Sequence, residues 1–330
     1  MFKKITESFG PLEQVTYYHT SHRISMSIVP EYGANLRSLV LTHEHQSINC
    51  IEGVQSYQEL ITDSAFRSAF LAPWPNRVKD GKYSYHEDNF ELPVNEVARN
   101  HAIHGFIYRY PFQITEEQLE REELQVVLKN EYLGDYPGYP FTFNTLIKFN
   151  LNTTSGLSIE VEVENTDKEK IPVGIGWHPY FQFGEQVDQY QLQMPATEGY
   201  ELDKRFIPTG KISSYSSFEE VNNIGDTRCD SSFLLKANKG KVATRLIEPA
   251  RKLVLECWQE TGKDKFDYLQ VYIPKHRKSL AIEPMTCAID AFNSKDGIWL
   301  VSPGSKAGGT FGVQLKSLDI PINSSRSYTY

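Results

Sequence analysis

No apolar run in this chain approaches the roughly 20 residues that a membrane-spanning helix needs. The N-terminus, Met1-Phe2-Lys3-Lys4, carries charge but no apolar stretch behind it, because Ile5-Thr6-Glu7-Ser8 follows; a secretory signal is not expected. Basic residues are outnumbered, 34 against 42 acidic ones, for a formal charge of -8. Nucleic-acid backbones and anionic membranes call for a basic face, so neither is an expected partner. Cysteine is scarce too. Cys50, Cys229, Cys257 and Cys287 are widely scattered, with no CxxC pair and no disulfide-dense pattern. They read as free thiols in a reducing compartment, and a cytoplasmic location is expected. Helical periodicity is rare, and the strand–helix alternation of a doubly wound sheet is missing.

What is present is a period of two. Leu157, Ile159, Val161 and Val163 alternate with Ser158, Glu160, Glu162 and Glu164, as in a strand with one buried and one wet face. Phe143, Thr145, Ile147, Phe149 and Leu151 share one face of a preceding strand, and the turn-forming Asn152-Thr153-Thr154-Ser155-Gly156 joins the two as a hairpin. Ile24 to Ile28, Leu124 to Leu128, Lys252 to Trp258 and Leu269 to Ile273 read as further strands; Val54 to Ala65 holds at most a turn or two of helix. A length of 330 residues suggests two domains, but all-β folds run long as single units, and no repeat or linker interrupts the pattern. Residues 1–330 are therefore expected to form one all-β domain, a large antiparallel two-sheet β-sandwich.

Four segments place polar groups where a strand would want apolar ones. In Pro73-Trp74-Pro75-Asn76-Arg77-Val78, two prolines preclude a central strand and leave a stiff loop or edge. Such a loop holds Arg77 rigidly, or simply displays it at the surface, as loops commonly do. Asn100-His101-Ala102-Ile103-His104-Gly105-Phe106 has histidines three apart, but neither cysteine pairs nor an HExxH helix accompany them, so zinc is not expected. His101 reads as structural or solvent-facing; His104, beside a glycine that permits close backbone approach, is better placed to meet a ligand. His178, in Gly174-Ile175-Gly176-Trp177-His178-Pro179-Tyr180-Phe181, sits among aromatics; it is a proton donor near neutral pH or a core histidine bonded to a carbonyl. Glu283 ends the apolar run of Leu280-Ala281-Ile282-Glu283-Pro284-Met285-Thr286. Burying such a carboxylate is costly and raises its pKa, which makes it a better base, unless it turns to water.

In this order the segments resemble the aldose 1-epimerase (galactose mutarotase) family. The run from Asn76 through Gly81 and Tyr83, the HAIHGF stretch, WHPYF at Trp177 to Phe181, and IEPMTCAIDAFN at Ile282 to Asn293 are similar to the family's motifs, as are GDYPGYPF at Gly134 to Phe141 and CDSSFLL at Cys229 to Leu235. The resemblance implies a β-supersandwich that needs neither cofactor nor metal and acts on a small sugar, a hexose or pentose; the chain itself is expected to be a monomer or homodimer. It implies Glu283 as general base and His178 as general acid. It also implies His104 near the ring oxygen, with Asn76, Arg77 and Asp230 holding sugar hydroxyls. His101, Phe106 and Ser231 depart from the usual pattern and leave the sugar open, and Asp226 is a fallback for Asp230; the HPYF and EPMT runs resemble a divergent branch of the family.

Three rival readings remain. A sugar-binding protein without catalysis would need rings and hydrogen-bonding groups but not both Glu283 and His178. An epimerase of a hexose 6-phosphate would need a basic pocket; no arginine cluster adjoins the four segments in sequence, unless Arg99, Arg109 and Arg205 converge in space. A glycoside hydrolase would pair Glu283 with Asp230 or Asp290 and leave His178 without a role.

Overall fold

The computed structural model describes residues 1–236 and 239–318. The long hairpin forms as its alternation requires. Phe143–Asn152 pairs antiparallel with Gly156–Asn165, with Ile147 opposite Val161 and Phe149 opposite Ile159 on the buried face. At the turn, Asn152 Oδ1 accepts the Thr154 and Ser155 amides at 2.9 and 3.1 Å. Gly156 has φ of +78, and a Cβ there would lie 2.3 Å from the Val313 carbonyl oxygen, so glycine is required. The wet face carries Glu162, which accepts Lys306 Nζ at 2.7 Å.

These two strands are central to a nine-stranded sheet. Its order is Gln113–Leu119, Glu123–Tyr132, Phe143–Asn152, Gly156–Asn165, Lys306–Ser317, Leu253–Thr261, Gly240–Glu248, Gln191–Gln193 and Asn222–Asn223. An eight-stranded sheet runs Pro208–Tyr215, Thr197–Leu202, Asp230–Leu235, Tyr268–Tyr272, Leu280–Met285, Gly176–His178 and Ala69–Leu71, with Tyr180–Phe181 also paired to Leu280–Met285. The two sheets meet through aromatic rings. Trp177 stacks on Phe311 at 5.3 Å, and Phe70 meets Phe149 edge-on at 5.8 Å. The expected sandwich is thus present, with a further five-stranded sheet, Phe2–Phe9 to Gln46–Asn49, formed by the N-terminal strands. Every pairing between these strands is antiparallel.

The other strands fall where their apolar patterns place them, at Ser25–Val29, Glu123–Tyr132, Leu253–Thr261 and Tyr268–Tyr272. The short helix is Tyr57–Thr62, with Ser56 Oγ accepting the Glu59 amide at 3.1 Å as an N-cap. The proline-braced segment is a loop leading into Arg77–Lys79, which pairs with His101–Ile103 as a two-stranded ribbon. Its brace packs on the glycines of the histidine segment, where a Cβ at Gly176 would lie 2.9 Å from Pro75 and one at Gly174 2.8 Å from it. All four cysteines are unpaired and buried.

Phe149 is fully buried between the sheets, so Phe149→Ala should cost about 3–5 kcal/mol. Urea unfolding should show a lowered midpoint; an unchanged midpoint would mean that the ring does not join the sheets.

Candidate active site

Alternation along the eight-stranded sheet sends neighbouring side chains to opposite faces. Trp177 and Ile282 enter the inter-sheet core, and His178 and Glu283 emerge on the other face. Antiparallel register adds their neighbours: Gln270 lies opposite Glu283 and Ser232, and Tyr272 lies opposite Asp230. A cavity of about 930 Å³ lies over this face, lined by Asn76, Arg77, His104, His178, Asp230, Gln270 and Glu283 together with loop residues above them.

At its base, Glu283 Oε1 and His178 Nε2 lie 3.4 Å apart. Glu283 is 1% exposed and His178 6%. Their second polar atoms, Glu283 Oε2 and His178 Nδ1, are buried and have no hydrogen-bond partner, so the pair holds unsatisfied bonding capacity. The His178 ring stacks on Tyr180 at 5.1 Å and is met edge-on by His104 at 5.1 Å.

The ribbon positions the remaining groups. His104 Nδ1 accepts the Asn76 amide at 3.2 Å, while the His104 amide donates to the Asn76 carbonyl at 2.9 Å. With Nδ1 an acceptor, neutral His104 carries its proton on Nε2. Asn76 Oδ1 accepts Arg77 N and Nη1, and Asn76 Nδ2 reaches Gln270 Oε1 at 3.4 Å. Gln270 Nε2 then donates to Asp230 Oδ1 at 2.8 Å. Arg77 makes a two-pronged bond to Glu96, at 2.8 and 3.0 Å, which fixes the guanidinium plane.

Burial sets the protonation of the pair. Glu283 is held well above the ordinary carboxylate range, first by desolvation and then by the Asp230 charge, with Arg77 opposing. His178 is pushed down to about 3 by desolvation. His104 is depressed by desolvation, with the fields of His178 and Arg77 adding to it. Asp230 is raised by burial, against the pull of Arg77 and Arg99.

The four segments therefore converge. Arg77 is not a surface residue but 6% exposed and ion-paired. His101 is structural and buried: Nδ1 accepts the Asp80 amide at 3.1 Å, and Nε2 meets the Arg205 carbonyl at 3.1 Å. Gly105 does permit a close backbone approach, but to Ala72, whose carbonyl oxygen would lie 2.1 Å from an added Cβ, and not to a ligand. Asp226 is exposed and does not line the cavity, whereas Asp230 does. Asp290 accepts the Lys79 amide and Asn293 Nδ2 outside the cavity, which removes it as a hydrolase partner. Arg99 and Arg109 do converge on the cavity, while Arg205 is turned to Asp80. Among the described residues no three His, Cys, Asp or Glu side chains are grouped as metal ligands. Sequence reasoning missed Gln270, Tyr180, Tyr272 and Glu96. The polar Gln270 inside Leu269-Gln270-Val271 was the available signal, and it reads as an ordinary wet-face residue.

The raised Glu283 pKa also has a sign for stability. Folded protein keeps this proton to higher pH than the unfolded chain does, so its contribution is full below the ordinary 4.5 and is lost as pH rises. Glu283→Gln removes that loss. Its Tm advantage over the parent, by calorimetry, should widen from pH 4.5 toward neutrality; a constant or narrowing gap would show that the buried carboxyl carries no such cost.

Comparison with known proteins places the chain in a family. Residues 17–314 match the aldose 1-epimerase family. The uncharacterized protein YihR of Escherichia coli K12 is 31% identical over 240 residues, 71% of this chain and 74% of its own. A probable aldose 1-epimerase of Arthroderma benhamiae is 25% identical over 230 residues, 64% of this chain and 51% of its own. A galactose mutarotase-like protein of Clostridium acetobutylicum superposes with a TM-score of 0.84 at 18% identity, covering 96% of this chain and 98% of its own. The galactose 1-epimerase of Lactobacillus acidophilus NCFM gives 0.79 at 16% identity, covering 96% and 99%. The two superpositions establish the fold, and the match over nearly the whole length establishes more: this chain belongs to the aldose 1-epimerase family, isomerases that exchange the anomers of an aldose.

Proposed function

We propose that Glu283 and His178 are the acid–base pair of this epimerase, opening and reclosing the ring of an aldose whose C1 hydroxyl is free. The observation that carries the reading is their 3.4 Å contact at the buried base of the cavity, with Glu283 Oε2 and His178 Nδ1 unpartnered. A hemiacetal has its hydroxyl and its ring oxygen on one carbon. A base for the first and an acid for the second must therefore sit side by side, as these two groups do.

The pair carries one mobile proton. With that proton on His178, charged Glu283 takes the C1 hydroxyl proton and His178 gives its own to the ring oxygen. The bond from C1 to the ring oxygen breaks, its electrons go to that oxygen, and C1 becomes an aldehyde carbon. Glu283 is now protonated and His178 neutral, the distribution that burial favours in the unliganded site. Rotation about C1–C2 presents the other carbonyl face. In reclosure the hydroxyl oxygen attacks C1 and releases its proton to His178, while Glu283 protonates the carbonyl oxygen. The product is the other anomer, and the pair is restored.

His104 donates from Nε2 to a sugar oxygen near the ring, and Asn76, Arg77 and Asp230 hold hydroxyls. Gln270 ties Asn76 to Asp230 and so sets their separation. The family match from residue 17 to 314 supports residues 1–330 acting as one domain. No helix among the described residues is long and apolar enough to cross a membrane, and four buried free thiols suit a cytoplasmic location.

Polarimetry across galactose, glucose, arabinose and xylose tests the reading. Glu283→Gln and His178→Asn should each lower kcat roughly a hundredfold to ten-thousandfold on every responsive sugar; near-full activity in Glu283→Gln would remove Glu283 as the base. The pH profile is a separate check. Activity needs one proton on the pair, so kcat/KM falls at acid pH only when His178 also protonates, and at alkaline pH only when the raised Glu283 ionises. The acid limb should lie well below 6.5, the ordinary histidine value. A loss of kcat/KM centred near 6.5 on acidification would contradict the assignment.

A further inference from the structure

The Arg77 guanidinium reaches the cavity wall with part of its bonding already spent. A guanidinium has five N–H groups. Glu96 accepts from Nε and Nη2 of Arg77, and Asn76 Oδ1 accepts from Nη1. Among the described residues no other acceptor takes this side chain, so one N–H on each terminal nitrogen is left for a sugar oxygen. Where those two point depends on the guanidinium plane. The Glu96 bonds lie in that plane and resist rotation within it; resisting tilt takes a contact from elsewhere. Phe206 supplies one. Arg77 Cζ lies over its ring, 5.1 Å from the centre, and Arg99 Cζ lies over the same ring at 4.3 Å.

Phe206 comes from a distant part of the chain, the tip of the hairpin formed by Thr197–Leu202 and Pro208–Tyr215 at the edge of the eight-stranded sheet. It does not line the cavity, so anything it does for a substrate runs through the arginines it touches. Its φ is +64, in the left-handed region that glycine occupies freely and phenylalanine enters only under strain. The tip is tied to hold it there. Asp203 Oδ1 accepts the Arg205 and Ile207 amides at 2.8 and 3.0 Å, and the Phe206 amide donates to the Asp203 carbonyl at 2.9 Å. Arg205 then latches the tip to the ribbon. Its Nε and Nη2 donate to the Arg99 carbonyl at 3.1 and 3.0 Å, and Nη2 also bonds the Asp80 carboxylate. His101 Nδ1 accepts the Asp80 amide, so neutral His101 carries its proton on Nε2 and donates it to the Arg205 carbonyl at 3.1 Å. Neither His101 nor Arg205 lines the cavity, yet together they keep the Phe206 ring against Arg77. A glycine would relax this turn; the strain is carried for the ring.

We propose that Phe206 is a positioning residue: its ring fixes the tilt of Arg77 and with it the aim of the two free N–H groups at the sugar. The proposal rests on Arg77 holding a sugar hydroxyl, as proposed above, and the experiment separates the two.

Phe206→Gly removes the ring while suiting the φ, and Phe206→Tyr keeps the ring. On a sugar that the parent exchanges, Phe206→Gly should raise KM about threefold to tenfold with kcat within about twofold, and Phe206→Tyr should keep both near the parent values. In an Arg77→Gln background the Phe206→Gly change should add nothing, because the ring acts through that side chain. An unchanged KM in Phe206→Gly, or a rise that persists in the Arg77→Gln background, overturns the proposal while Arg77 keeps its role. An unchanged KM in Arg77→Gln instead removes Arg77 as a sugar contact, and the positioning role with it. A second measurement needs no substrate. Exchange of the Arg77 Nε–H proton with water, followed by NMR, should quicken about threefold or more in Phe206→Gly and stay at the parent rate in Phe206→Tyr. Equal rates in all three proteins overturn the proposal, whatever KM has done.

Discussion

One registration holds core and site together: the antiparallel pairing of Tyr268–Tyr272 with Leu280–Met285, which sets Gln270 opposite Glu283 and Val271 opposite Ile282. Side chains in a strand alternate, so the same register sends Ile282 into the inter-sheet core and Glu283 to the cavity. A slip by one residue would exchange them, putting a carboxyl against the nine-stranded sheet and an isoleucine in the site. The large apolar interior thus does more than stabilise the fold. It makes any other register expensive, and the acid–base geometry inherits that rigidity. Gly176–His178 works in the same way, with Trp177 anchored between Phe70 and Phe311 while the next residue faces the cavity.

Rigid burial shapes the chemistry in turn. A carboxyl at 1% exposure keeps its proton, and an imidazole at 6% exposure refuses one. Two neighbouring groups displaced in opposite directions still hold a single proton between them, and in the proposed exchange one group gives up a proton as the other takes one, so that count never changes. In the proposed mechanism the tautomer favoured in the free protein is the one that stands at the open-chain stage. Burial therefore favours the midpoint of the reaction over its ends, where charge must be separated across the pair. Arg77, whose field opposes the rise at Glu283, partly relieves that separation. Its two bonds to Glu96 keep it from collapsing onto Glu283 as a permanent partner.

Strand-borne features were legible in the sequence because a period of two reports burial directly. Phe143–Asn152 and Gly156–Asn165 lie where their alternation put them, and the turn between them follows from Asn152 and Gly156. His178 and Glu283 stood out as polar interruptions of apolar runs, and both are buried at the cavity base. Other features depend on contacts between distant segments, which no local pattern encodes. Whether Arg77 is buried turns on Glu96, which a short loop brings back onto it. Asp230 and Asp226 are alike in sequence, yet only Asp230 falls in register with Tyr272. Gln270 matches a wet-face residue in every local respect, and only the ribbon laid over it turns that face into a site. Of the N-terminal five-stranded sheet only the strand at Ile24–Ile28 was legible, and not the sheet itself, because which edges pair is decided by topology.

The same division separates reaction from selectivity. His178 and Glu283 are presented by paired strands whose spacing the whole sandwich defends, so their separation is insulated from change elsewhere. Arg67, Arg99, Arg109 and Lys275 stand on connecting segments at the cavity wall. Loops on a rigid scaffold exchange side chains at little cost to the fold. A protein built in this way can change the charge of its entrance without moving the buried pair.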